Sequence, residues 1–143
     1  MQTRTASATW GGGLKGTGSF QGESASLGGS YTVSSRFNTE RGTDPEELLA
    51  AAEAACFSME LAVALEEAGT PATRVHTEAA CSLDRAGDYF RIVMMKLRVR
   101  AQVPGVDAET FRRIAEATRK GCPVSVALAG VEIQLEAELE DSV

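Results

Sequence analysis

Apolar residues fall at two different spacings along this chain, and the spacing assigns the elements. Near the C-terminus Val131, Ile133, Leu135, Ala137 and Leu139 alternate with Glu132, Gln134, Glu136, Glu138 and Glu140. A period of two is that of a strand with one apolar face and one wet face. Val93, Met95, Leu97, Val99, Ala101 and Val103 alternate likewise with Lys96, Arg98, Arg100 and Gln102, until Pro104 and Gly105 stop the run. Just upstream, Val75, Thr77, Ala79, Cys81 and Leu83 share one parity against His76, Glu78, Ser82 and Asp84, with Ala86 and Gly87 as the turn between the two runs.

The stretch TDPEELLAAAEAACFSMELAVALEE has a helical spacing instead. Asp44 is placed to cap it, Pro45 suits the first helical position, and Glu47 can complete a capping box. Glu46 and Glu47 also suit the positive end of the helix dipole. Leu49, Ala52, Cys56, Met59 and Val63 form one stripe, while Leu48, Ala51, Ala55, Ala62 and Leu65 are apolar too. Glu53, Glu60 and Glu67 recur every seven residues as a narrow polar seam. A helix so apolar around its circumference is expected to be largely buried. Gly69 and Pro71 end it. Asp107 caps a shorter helix, AETFRRIAEATRK, with Gly121 as its C-terminal cap, and a short helical turn is expected at 124–128.

Residues 1–35 are rich in Gly, Ser and Thr, with strand-like pieces at 5–10, 17–21 and 30–33 separated by glycine turns. That spacing suits an antiparallel meander. Strands outnumber helices, adjacent strands suit hairpins, and no βαβ alternation is evident. The fold class is α+β, with antiparallel sheets around a long buried central helix, in a single domain over residues 1–143.

Composition narrows the function more than the fold. A length of 143 residues with 43% apolar content is enough for a hydrophobic core. A formal net charge of −6 argues against nucleic-acid binding, which needs clustered Lys and Arg. The one basic stripe, Lys96, Arg98 and Arg100, reads as the wet face of its strand. No uninterrupted run of 18 apolar residues occurs, so no membrane span is expected, and the opening MQTRTASATW lacks the apolar core of a signal peptide. The expected setting is the cytoplasm, where thiols stay reduced. Three cysteines, Cys56, Cys81 and Cys122, fit neither a disulfide-stapled scaffold nor a CxxC zinc site. With His76 as the sole histidine, metal chemistry has few ligands, and no cofactor is expected.

Chemistry then rests on the thiols. Cys122 lies in KGCPVS, after a helix end and before Pro123, which pushes its own backbone toward extended geometry. Cys56 sits mid-helix on an apolar face, where the plainest reading is a small buried hydrophobe. Together the two thiols are also placed as a reversible cytosolic disulfide would require, and such disulfides are catalytic or redox-sensing. A buried thiol is a poor nucleophile unless a cation lies beside it. Arg36, in SSRFNTERGTDPEEL, is the candidate cation, with Glu46 or Glu47 able to hold its guanidinium by a two-pronged pair. Pattern alone leaves open the alternative that Arg36 is a surface charge and the glutamates are helix-start residues.

The stretches RFNTERGTDPEELLAAAEAACFSMELAVALEEAG and VPGVDAETFRRIAEATRKGCPVSVAL resemble the two signatures of the OsmC family, the osmotically inducible relatives of the organic hydroperoxide resistance proteins. The likeness runs in order through nearly the whole chain, and the arginine shortly before PEE places it nearer the OsmC branch. The resemblance implies an intertwined α+β homodimer with active sites at the subunit interface. It implies a thiol peroxidase that reduces organic hydroperoxides and, to some extent, hydrogen peroxide. Position by position it makes Cys56 the peroxidatic cysteine, Cys122 the resolving cysteine, Arg36 the residue that activates the thiolate, and Glu46 the residue that orients the arginine. It further implies an external dithiol reductant, such as a lipoylated protein. Apolar neighbours such as Phe37, Phe57 and Met59 would favour an organic peroxide.

Two residues stand outside that pattern. Cys81 faces inward by its strand parity and reads as structural. Glu53 sits where relatives often carry a neutral or basic residue, and the polar seam suggests that it faces away from the site. The rival reading of the whole is a non-catalytic redox sensor or stress-response binding module using the same two thiols.

Helix geometry adds an expectation of its own. Glu46 and Cys56 are ten residues apart on one helix, about 15 Å along its axis and roughly 80° around it. One helix can hardly bring its own glutamate to its own thiol, so the Arg36–Glu46 pair is expected to act on the thiol of a partner chain.

Overall fold

The glycine-rich N-terminus is an antiparallel meander of three strands, β1 (Ala6–Gly11), β2 (Thr17–Gly22) and β3 (Gly28–Tyr31), paired in that order. Gly18 stands opposite both Trp10 and Tyr31, and a Cβ there would meet the Tyr31 ring at 2.5 Å. Its missing side chain lets the two rings approach to 5.6 Å between centroids. The third strand stops short of the expected 33, because Thr32 caps a short helix, α1 (Val33–Phe37), that the sequence reading missed. The Ser35 backbone N–H donates to Thr32 Oγ1 at 2.9 Å, and the Thr32 N–H donates to Ser35 Oγ at 2.8 Å. This is a capping box closed by serine in place of the usual Glu or Gln.

The computed structural model describes residues 1–38 and 40–141 and divides into two units, Met1–Leu48 and Leu49–Val143. The long helix α2 (Pro45–Glu67) begins in the first and continues into the second. Its start follows the sequence: the Glu47 N–H donates to Asp44 Oδ1 at 2.7 Å. The Glu47 carboxylate accepts from the Thr43 hydroxyl at 3.0 Å, a partner the expected capping box did not foresee.

Its burial departs from expectation. Within this chain the buried line is Glu53, Phe57, Leu61 and Leu65, each fully enclosed, whereas Ala52, Ala55, Met59 and Val63 are exposed. The alanines make every face apolar, so hydrophobicity alone could not tell which side meets the core. By length and composition α2 is also apolar enough to cross a membrane, a test that core helices of soluble proteins pass as well. The expectation of no such stretch came from counting uninterrupted apolar residues, and Glu53 and Glu60 interrupt the run without making it polar.

The second unit holds the other sheet. β4 (Arg74–Ala86) and β5 (Tyr89–Gln102) form the expected hairpin, turning through Gly87 at φ 66° and slipping register between Ser82 and Leu83. Then α3 (Ala108–Gly121) and α4 (Pro123–Ala127) lead to β6 (Glu132–Glu140), which pairs with β5 in parallel. The second sheet is thus mixed, and β5–α3–β6 is a crossover of the βαβ kind. The α+β class with mostly antiparallel pairing holds, but this crossover corrects the expectation that no βαβ alternation occurs. A parallel partner needs a crossover of a dozen or more residues, and 103–131 supplies it.

The alternation of β5 and β6 is realised as expected from Met95 onward, but Val93, expected on the same inward face, is exposed. Met95, Leu97, Val99 and Ala101 are buried with Phe57, Leu61 and Leu65 of α2 and Phe111 and Ala115 of α3. On the other face Lys96 and Arg98 pair with Glu136 at 3.1 and 3.4 Å, and Arg100 with Glu140 at 3.6 Å. The basic stripe therefore answers acidic residues of the neighbouring strand.

Candidate active site

Cys56 is half-buried on α2, and Cys122 is 1% exposed at the junction of α3 and α4. Both are free thiols, and Cys122 Sγ lies 3.1 Å from Cys56 Sγ, within hydrogen-bonding distance for sulfur. The position of Cys122 follows from its neighbours. Its N–H donates to the Thr118 carbonyl at 2.8 Å, closing α3, and its carbonyl accepts from Val126 at 2.9 Å, opening α4. Pro123 forces the φ −57°, ψ 125° of the extended residue between two helices. Gly121, expected as the cap of α3, is its last helical residue, and Cys122 takes the cap position itself.

Several influences push the Cys56 thiol above its ordinary range: burial first, then its hydrogen bond with Cys122, and then the charges of Cys122 and the Glu60 carboxylate. The Val124 backbone N–H, hydrogen-bonded to Cys56 from the first turn of α4, pulls the other way.

Glu53 does not face away. It is fully buried, and its Oε1 accepts a hydrogen bond from the Ser125 hydroxyl. Its Oε2 is buried with no hydrogen-bond partner among the described residues. Ser125, itself 4% exposed, lies on the same short helix that Cys122 opens.

In the first unit Arg36 and Glu46 form the two-pronged pair that the sequence suggested. Arg36 Nη2 donates to Glu46 Oε1 at 2.6 Å, and Nε reaches both carboxylate oxygens at 3.2 Å. Glu46 is 7% exposed, and the guanidinium is held above its usual pKa first by this hydrogen bond. Arg36 also lies 5.4 Å from the Phe37 ring centroid. The four expected site residues are thus assembled as two pairs, Cys56 with Cys122 in the second unit and Arg36 with Glu46 in the first.

Other expected residues fall elsewhere. Phe57 is part of the core, fully buried one residue beyond the thiol, so it is no free apolar wall for a substrate. Phe37 and Met59 are exposed. Cys81 packs against the core as its parity suggested, opposite Met95 on β5. His76 is on the wet face of β4, 3.8 Å from Glu78. Sequence reasoning missed Ser125, the Val124 N–H and the inward turn of Glu53. The only signal for them was the three-residue spacing that puts Ser125 one turn beyond Cys122 and Glu53 one turn before Cys56.

A cleft of about 390 Å³, lined by Glu60, Ala64, Arg113, Ile114, Thr118 and Cys122 among others, opens beside the Cys122 thiol.

The family described as OsmC-like protein matches residues 38–136 of this chain. Peroxiredoxin OsmC of Escherichia coli (strain K12) is 44% identical over 135 residues, covering 93% of this chain and 94% of the relative. The protein of the same description from Shigella flexneri matches to the same extent. Among solved structures, the organic hydroperoxide resistance protein OhrB of Bacillus subtilis superposes with TM-score 0.69 at 25% identity, covering 93% of this chain and 97% of that one. An OsmC-like protein from Mycoplasma pneumoniae, at 15% identity, shares the fold with TM-score 0.75 over 96% of this chain and 97% of its own.

Proposed function

The chain belongs to the OsmC family, and on that premise we propose that it is a cysteine-based peroxidase that reduces organic hydroperoxides, and to some extent hydrogen peroxide, with Cys56 and Cys122 as its redox pair. The observation that carries the reading is the 3.1 Å approach of two reduced thiols, one of them beside a backbone N–H that favours its thiolate.

The Cys56 thiolate attacks the outer peroxide oxygen. The O–O bond breaks, Cys56 becomes a sulfenic acid, and the departing alkoxide takes a proton to leave as the alcohol. The Cys122 sulfur then displaces the hydroxyl of the sulfenic acid, which departs with a proton as water, and a disulfide forms. An external dithiol reduces it by two exchanges, becoming a cyclic disulfide itself. A lipoyl group on a carrier protein fits that chemistry, and the cleft beside Cys122 gives it an approach. The reducing cytoplasm is where such a dithiol would be regenerated.

Attack requires the thiolate, yet burial and Glu60 push the Cys56 thiol the other way. A cation is therefore needed, and Arg36 supplies it, steered by Glu46 and able also to stabilise charge developing on the peroxide oxygens. The arginine comes from the partner chain of a homodimer. Two features support this: the ten-residue offset of Glu46 and Cys56 along α2, and the exposed apolar line Ala52, Ala55, Met59 and Val63 on that helix. A second copy would bury that line, as stable dimers require.

Steady-state consumption of cumene hydroperoxide with dihydrolipoamide tests the reading. Many equivalents of peroxide per chain are expected. Consumption that stops at one equivalent would instead make the chain a redox sensor.

A further inference from the structure

Glu53 is the one fully buried carboxyl of α2, and no step above uses it. Its Oε1 is taken by Ser125, and its Oε2 meets no partner among the described residues. A side chain chosen only for packing would be apolar, and one chosen for charge would face a cation. What Glu53 does hold is the hydroxyl of Ser125, and its place in the chain gives that contact a purpose. Glu53 is one turn before Cys56 on α2, and Ser125 is three residues after Cys122 on α4. The hydrogen bond therefore runs alongside the sulfur pair and ties the same two segments together.

α4 needs such a tie. It has only five residues, and its cap residue Cys122 makes no side-chain capping bond. Helices of this length do not hold their own geometry, so external contacts must fix the first turn. That turn carries both groups that bear on Cys56: the Cys122 sulfur and the Val124 N–H.

We propose that Glu53 is a positioning residue for disulfide formation, acting through Ser125 to hold the first turn of α4, and with it Cys122, over Cys56. The inference rests on the redox pairing proposed above. The step it controls is the condensation in which Cys56–SOH and the Cys122 thiol give the disulfide and one water. Its rate depends on how long the two sulfurs stay in reach, and further oxidation of the sulfenic acid to sulfinic acid by a second peroxide competes with it.

The test uses full-length Ser125→Ala, Glu53→Met and Glu53→Gln, each compared with wild type for melting temperature. Disulfide closure is timed with cumene hydroperoxide and separately with diamide, which accepts the two electrons and two protons of the thiols without peroxidase chemistry. Ser125→Ala and Glu53→Met are expected to slow closure about tenfold with both oxidants, and with peroxide to raise the sulfinic fraction found by mass spectrometry. Glu53→Gln, whose amide oxygen still accepts from Ser125, is expected to close within about threefold of wild type. Loss of stability alone would not shift the ratio of disulfide to sulfinic acid in the folded protein. Wild-type closure rates in folded Ser125→Ala overturn the proposal, as does a Glu53→Gln as slow as Glu53→Met. If Glu53→Met does not fold, Ser125→Ala and Glu53→Gln decide alone. Wild type that closes with diamide but not with peroxide sinks the peroxidase reading and leaves the positioning role to be judged on the diamide rates.

Discussion

Cys56 Sγ and Cys122 Sγ stand 3.1 Å apart, about 1 Å beyond the length of the bond they would form. The two are unequal: Cys56 is half-buried and receives the Val124 N–H, whereas Cys122 is enclosed. Cys56→Ser is therefore expected to abolish peroxide reduction. Cys122→Ser should complete one turnover and stall as sulfenic or sulfinic acid. Steady-state and single-turnover assays decide, and equal steady-state activity in Cys56→Ser and wild type would refute the assignment.

The same proximity predicts which disulfide forms. Peroxide should link Cys56 to Cys122 within one chain and leave Cys81, on β4 against the core, reduced. Peptide mapping without reductant is the check. A dominant linkage to Cys81, or a chain-to-chain dimer on a non-reducing gel, would show that the resolving thiol is another.

If Arg36 acts on the partner's thiol, two dead chains can rescue each other. Cys56→Ser and Arg36→Ala chains, co-refolded, give mixed dimers with one intact and one doubly broken site. Verified mixed dimers should regain up to about half of wild-type activity, since one of two sites is whole. Inactive mixed dimers would mean that each chain builds its site alone.

Burial and Glu60 hold the Cys56 thiol high, so without Arg36 its thiolate should form only above the ordinary thiol range. A raised value means less thiolate at neutral pH and a rate that keeps climbing with pH. In Arg36→Ala, alkylation of Cys56 by iodoacetamide should still be rising at about pH 9, while wild type levels off lower. Adding Glu60→Gln removes one upward influence and should speed alkylation at pH 7 by about twofold. Identical pH profiles for wild type and Arg36→Ala would show that the arginine does not act on this thiol.

Phe57, next to the thiol but turned into the core with no exposure, predicts a stability effect. Phe57→Ala should cost about 3–5 kcal/mol through lost burial and the cavity left behind. Chemical denaturation measures it. A loss below about 1 kcal/mol would mean that the core closes around the gap.

The sequence revealed most where a period was clean. The alternation of 95–103 and 131–140 gave both strands and their inward faces, though not the exposed Val93, and Asp44 and Asp107 marked two helix starts that the structure keeps. It was silent where composition was uniform: with alanine on every side of α2, no pattern distinguished the line through Phe57 and Leu61 from the line through Met59 and Val63. Glu53 was misread for a related reason, since a glutamate recurring every seven residues looks like a solvated seam until its partner is known. That partner lies 72 residues away, beyond the reach of any local pattern. Parallel pairing of β5 and β6 was missed because alternation records which face is wet and not which way the neighbouring strand runs.

The parallel pairing also has a consequence for how the chain acquires its chemistry. β6 can join β5 only after the intervening 103–131 has been laid across the sheet, and Cys122 lies inside that segment. Contacts between segments so distant in sequence form late, because the loop entropy must be lost before they compensate it. The two sulfurs should therefore stay apart in early compact states and meet only as the crossover closes. Refolding from denaturant with timed diamide pulses would follow this, the Cys56–Cys122 bond appearing together with protection of the β5 amides. A chain still folding would carry Cys56 for a time without Cys122 beside it, and a sulfenic acid formed there in that interval would have no disulfide to close.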